Sequence, residues 1–128
     1  MSRFFGLAIL VGMLAACSPY AGRFAVPVDT TRTIYRAYQV DTGCRSLGPI
    51  TIRIVKPPAH GRVAVLSSKI YPNFPKSDNH SVCNRTLVDG QLIQYTPEPG
   101  FAGTDEFLVD IIYASGHSRT GPFRISVR

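Results

Sequence analysis

Ile50-Thr51-Ile52-Arg53-Ile54-Val55 decides the fold class. Three isoleucines stand at alternate positions, with Thr51 and Arg53 between them. In an extended chain alternate side chains share a face, so this is the period of a half-buried strand. Such a strand must lay its apolar face on a second layer. Pro57-Pro58 ends the run, because proline cannot donate to a ladder.

The same period recurs on both sides. Arg62 to Leu66 alternates through Val63 and Val65, and Glu106 to Tyr113 through Phe107, Val109 and Ile111. Thr33 to Val40 is rich in β-branched and aromatic residues, and Phe123 to Val127 closes the chain after Pro122. Leu87-Val88 opens a short strand before an expected turn at Asp89-Gly90, with Leu92 to Thr96 returning. Pro97 to Thr104 reads as a loop and Ser115-Gly116 as a turn. No useful helical period occurs. The pattern predicts an all-β protein, a single β-sandwich of about seven strands over residues 26–128.

Composition narrows the function classes. The 128 residues carry a formal charge of +6 and are 45% hydrophobic, enough for one packed core. The cations, from Arg23 to Arg128, are scattered, with no run of four. A nucleic-acid binder concentrates them on one face or in one segment, so no nucleic-acid partner is expected. A spread of cations suits a soluble basic surface, or one that meets an anionic lipid or glycan.

Arg3 is followed by an apolar run from Phe4 to Leu14, and then by Leu14-Ala15-Ala16-Cys17. The run is too short to span a bilayer, which takes about 20 residues. It resembles a bacterial lipoprotein signal, and its last four residues resemble the lipobox. That resemblance implies a signal peptide over 1–16, removal before Cys17, and a diacylglyceryl thioether with further acyl chains such as palmitate on Cys17. Several chains hold firmly where one gives only marginal binding. It also implies a lipid-anchored envelope protein with a lipidated tether over 17–25. Ser18, where an Asp is the inner-membrane retention signal of many such proteins, points to the outer membrane rather than the inner.

With Cys17 assigned to lipid, Cys44 and Cys83 remain, and two cysteines of an exported domain are expected to pair. A metal site using them with His60, His80 or His117 is the rival, but no C-x-x-C or H-x-x-x-H spacing supports it. No metal and no cofactor are expected.

Three further segments stand in order: Pro58-Ala59-His60-Gly61-Arg62-Val63, then Tyr95-Thr96-Pro97, then Gly100-Phe101-Ala102-Gly103-Thr104-Asp105-Glu106-Phe107. Together they resemble the cadherin-like and immunoglobulin-like repeats of bacterial surface proteins. The resemblance covers about residues 50–128 and implies an Ig-like or cadherin-like sandwich. The residue types give His60 and Gly61 a strand-connecting turn, and Tyr95 a buried ring with its hydroxyl on backbone. Pro97 stops a strand. Gly100 and Gly103 can take positive φ at a tight corner. Asp105 can accept backbone N–H groups across it, and Phe101 and Phe107 can anchor it. These roles are structural and specify no activity.

Catalytic signals are absent elsewhere. No serine lies in a Gly-x-Ser-x-Gly context, and Asp105 and Glu106 are adjacent, so on a strand they face opposite ways. The long polar excursion from Ser67 to Gly90 is the candidate binding element, with Tyr71, Phe74, Lys76, His80 and Arg85 as its candidate contacts. It suits an envelope protein or glycan partner, or else simply covers one edge of the sandwich. The resulting expectation is a non-enzymatic structural or interaction module, with partner binding through the 67–90 loop as the alternative.

Overall fold

Alternation along the chain becomes two packed sheets. The computed structural model describes residues 22–128. Seven strands form among them: β1 (Gly22–Val26), β2 (Arg32–Ala37), β3 (Thr51–Lys56), β4 (Gly61–Ile70), β5 (Val88–Pro97), β6 (Gly103–Ile112) and β7 (Ser118–Val127). One sheet has the order β1-β7-β6-β3 and the other β2-β5-β4. Every neighbouring pair is antiparallel except β1 and β7, which are parallel. The all-β sandwich read from the sequence is the observed fold. Its division of β2, β5 and β4 from β3, β6 and β7 is that of the seven-stranded immunoglobulin sandwich. Here β1 pairs with β7 instead of joining β2.

The core follows from the period of two. Phe107, Val109 and Ile111 of β6 and Phe123, Ile125 and Val127 of β7 point inward and are buried, and Ile93 and Tyr95 of β5 meet them from the other sheet. The Phe123 ring lies 5.3–5.4 Å from those of Phe24, Tyr35 and Phe107, so it bridges the two sheets. Removing the Phe107 ring would leave a cavity costing about 3–5 kcal/mol.

Strand directions fix two ends. The turns at 27–31, 57–60 and 98–102 and the C-terminal Arg128 gather at one end, here the corner end. The segments 38–50, 71–87 and 113–117 gather at the other. Gly48 and Ala114 are in close contact there. Cys44 and Cys83 are bonded across this second end, with their Cα atoms 5.2 Å apart.

Three boundaries differ from the sequence reading. The tether expected over 17–25 ends earlier, because Gly22–Val26 is paired along β7 and buries Val26. Cys17 itself lies outside the described residues. The excursion expected from Ser67 starts only after Ile70, because β4 pairs with β5 along ten residues. Asp89-Gly90 is no turn but the start of β5, opposite Lys69 and Ser68. Glycine is required there by close approach, since a Cβ would stand 2.4 Å from Ile70 Cδ1 and 2.8 Å from the Ala37 carbonyl oxygen.

Candidate functional site

At the corner end a single carboxylate ties the 57–60 turn to β5 and β6. Asp105 is 3% exposed. Its Oδ1 accepts from the N–H groups of Ala59 (3.0 Å) and Glu106 (2.9 Å). Its Oδ2 accepts from the His60 N–H (3.1 Å) and the Tyr95 hydroxyl (2.6 Å). A buried carboxylate is tolerated only when its lone pairs are filled in this way. Burial, and then the bond to Asp105, push the Tyr95 hydroxyl well above its ordinary pKa. The ring of Tyr95 lies parallel to that of Phe107.

The other corner residues are placed by this core. The His60 ring stacks on Phe101 at 4.4 Å and is half-exposed, 3.9 Å from Glu98. Gly61 has no positive φ, and its role is again close approach: a Cβ would meet the Thr96 carbonyl oxygen and the Tyr95 ring at 2.7 Å. Gly100 and Gly103 do take positive φ, +75° and +143°. Pro97 ends β5 opposite Gly61. Asp29, unremarked in the sequence, accepts the Gly100 N–H (2.8 Å) from its own left-handed position. The corner is a hydrogen-bonded knot centred on Asp105.

At the opposite end the amphipathic pattern of β4 and β5 inverts. Near the corner the residues facing the main core are apolar: Val63, Val65, Ile93 and Tyr95. Further along, the same face carries Ser67, Lys69, Asp89 and Gln91. The opposite face changes the other way, from Arg62 and Thr96 to Leu66, Ile70, Leu92 and Val88. Since β4 and β5 pair without a bulge, the side-chain period carries through unbroken. The strands therefore outrun the facing sheet and bury their far ends on the other side.

A second small core covers that side. Val40, Ile70, Cys83 and Val88 are buried in it, with Tyr38, Cys44, Phe74 and Leu92 packed around them. Asn84 clasps the backbone of Phe74, its amide donating to the Phe74 carbonyl and its oxygen accepting the Phe74 N–H, both at 2.9 Å. The Tyr38 ring meets Phe74 edge-on, and its hydroxyl accepts the Asn73 N–H (2.9 Å). Asp78 caps the 3₁₀ turn Asn79–Arg85, accepting the His80 N–H and its Nδ1, both at 2.8 Å. These bonds, the backbone one first, hold the Asp78 carboxyl below its ordinary pKa.

The candidate binding residues thus divide. Phe74 and His80, expected as binding contacts, have structural duties: Phe74 packs on the second core and His80 sits against it. Tyr71, Lys76 and Arg85 are exposed. Leu47, Val82 and Leu87, unremarked in the sequence, are exposed apolar side chains at the same end. Beside them an open groove of about 720 Å³ runs between segment 46–50 and Ser67, Lys69, Asp89 and Gln91. Gln91 donates to Ser67 Oγ (2.9 Å), and Lys69 pairs with Asp89. No histidine lines the groove; its charged residues are Lys69 and Asp89. Among the described residues no three His, Cys, Asp or Glu side chains are grouped as metal ligands would be.

No protein-family model, curated protein or solved structure matches the chain.

Proposed function

We propose that this protein is a non-enzymatic lipoprotein of the bacterial cell envelope, a single Ig-like module held at a membrane by lipid on Cys17. The observation that carries the reading is the succession in the sequence of Arg3, the apolar run Phe4–Leu14 and Leu14-Ala15-Ala16-Cys17. The disulfide between the other two cysteines supports an oxidising compartment, since such bonds persist outside the reducing cytosol. The corner supports the Ig-like and cadherin-like resemblance, because its quoted residues meet around Asp105. The engagement of each histidine by a neighbour supports the non-enzymatic reading: His60 by Phe101, His80 by Asp78, and His117 by Tyr113 and Arg119.

Growth with a labelled fatty acid tests this reading. The wild type carries the label and Cys17→Ser does not. Label persisting in Cys17→Ser, or absent from the wild type, overturns it. A second reading, capture of an envelope protein or glycan, rests on the exposed Tyr71, Lys76 and Arg85 of the stapled loop. Its test is a pull-down in which Tyr71→Ala with Lys76→Ala loses the partner while the melting temperature stays unchanged.

A further inference from the structure

We infer that the stapled end of the sandwich is a membrane-contact face, seated on an anionic phospholipid surface. The inference rests on the proposed acylation of Cys17. It is carried by the placement of exposed apolar side chains relative to the start of β1.

Six large hydrophobic side chains are conspicuously exposed among the described residues, and four of them stand in the stapled-end segments. They are Leu47 (49% exposed), Tyr71 (56%), Val82 (67%) and Leu87 (51%). Each flanks the second core rather than filling it. Exposed apolar side chains concentrated at one end mark an interaction surface. Arg45, Lys76 and Arg85 stand among them with no ion pair among the described residues. The local carboxylates are engaged by neighbours: Asp41 accepts the Arg45 N–H, Asp78 the His80 N–H, and Asp89 pairs with Lys69. Apolar tips ringed by cations match a headgroup layer with acyl chains beneath it.

Chain length supplies the independent argument. β1 runs parallel to β7, and Gly22 stands level with Phe123. From Phe123 the sheet continues back to Ser118 at the stapled end, five residues or about 17 Å. Cys17 precedes Gly22 by five residues, so even a fully extended chain reaches no more than about 18 Å. β1 enters Gly22 from the stapled side. A lipid on Cys17 therefore holds the domain close against its bilayer, and β1 is entered from the same end that carries the apolar tips.

The sequence contains no Trp, so one introduced Trp is a unique reporter. The acylated full chain is reconstituted into vesicles of phosphatidylcholine and phosphatidylglycerol with brominated acyl chains. Val82→Trp and Leu87→Trp, each checked for an intact disulfide, should show blue-shifted emission and lose most of it to bromine. Pro99→Trp, exposed at the corner end, should keep a water-exposed, unquenched spectrum. If the protein carries its acyl label and floats with the vesicles, yet neither stapled-end reporter is quenched, the membrane-contact face is refuted while the anchor stands. That outcome leaves the loop free for a protein or glycan partner. If no acyl label is found, both readings fall.

Discussion

The two ends of this sandwich solve the problem of closing a small β domain in different ways. At the corner, one buried carboxylate ties the 57–60 turn, its own strand β6 and a tyrosine of β5 together through four hydrogen bonds. At the stapled end, strands that outrun the facing sheet turn their apolar residues outward and cover them with a loop, a disulfide and a small second core. Polar satisfaction is strict, because a missing partner leaves a buried charge or an orphaned donor. Apolar cover is adjustable, because a loop can leave side chains exposed around its margin. The first end is therefore committed to the fold, and the second has surface to spare for contact.

Substitutions separate these mechanisms. The largest effect belongs to Asp105→Ala, which strips partners from three N–H groups and the Tyr95 hydroxyl. The loss should be about 3 kcal/mol or more, read by urea denaturation. A variant that unfolds at the wild-type midpoint would mean that the corner is not the knot described. Next comes the staple. Replacing Cys44 and Cys83 by Ser should lower stability by about 2–4 kcal/mol in the same titration. An unchanged midpoint would show that the apolar cover holds without it.

Tyr95→Phe is smaller, about 1.5–3 kcal/mol, the scale of a bond to a charged acceptor. It also carries a pH signature. The raised Tyr95 pKa contributes stability fully present below about 10, its ordinary value, and lost as pH rises beyond that toward the folded value. Wild type should therefore lose midpoint above pH 10 more steeply than Tyr95→Phe, and parallel curves would contradict the assignment.

Phe74→Ala should cost about 1–3 kcal/mol, less than a fully buried ring, whereas Tyr71→Ala should fall within about 0.5 kcal/mol of wild type. Equal melting temperatures for the two would remove the second core from the account. The smallest effect is at Asp78. Its lowered pKa contributes stability that is present above 3.8 and is lost as pH falls below that through the folded value. Asp78→Asn should thus flatten the acid limb of the stability curve, with a slightly lower midpoint than wild type at neutral pH and convergence of the two in acid.

The corner was legible in the sequence because each residue there has one job that its type announces: Tyr95, Asp105 and Phe107 alternate with polar neighbours, and Gly100 and Gly103 mark the positive φ. The stapled end was legible only as a pair of cysteines. Asp89-Gly90 resembles a turn, yet the glycine serves a close approach to Ile70. Ser67-Ser68-Lys69 reads as loop because its strand has passed beyond the facing sheet. Phe74 passes for a surface aromatic because its partners, Tyr38 and the buried cluster of Val40, Ile70, Cys83 and Val88, come from distant parts of the chain. The signal that was present lies in β5: Val88 and Leu92 fall on one face, and Ile93 and Tyr95 on the other. A strand that changes its apolar face midway must be covered on both sides.

Native-state hydrogen exchange on the oxidised and the reduced protein tests this division most directly. Reduction should release protection from the amides of segment 73–86 through local opening, while those of Tyr95, Phe107 and Phe123 still exchange only with global unfolding. Equal loss of protection at both ends would show one cooperative unit and contradict the separate second core.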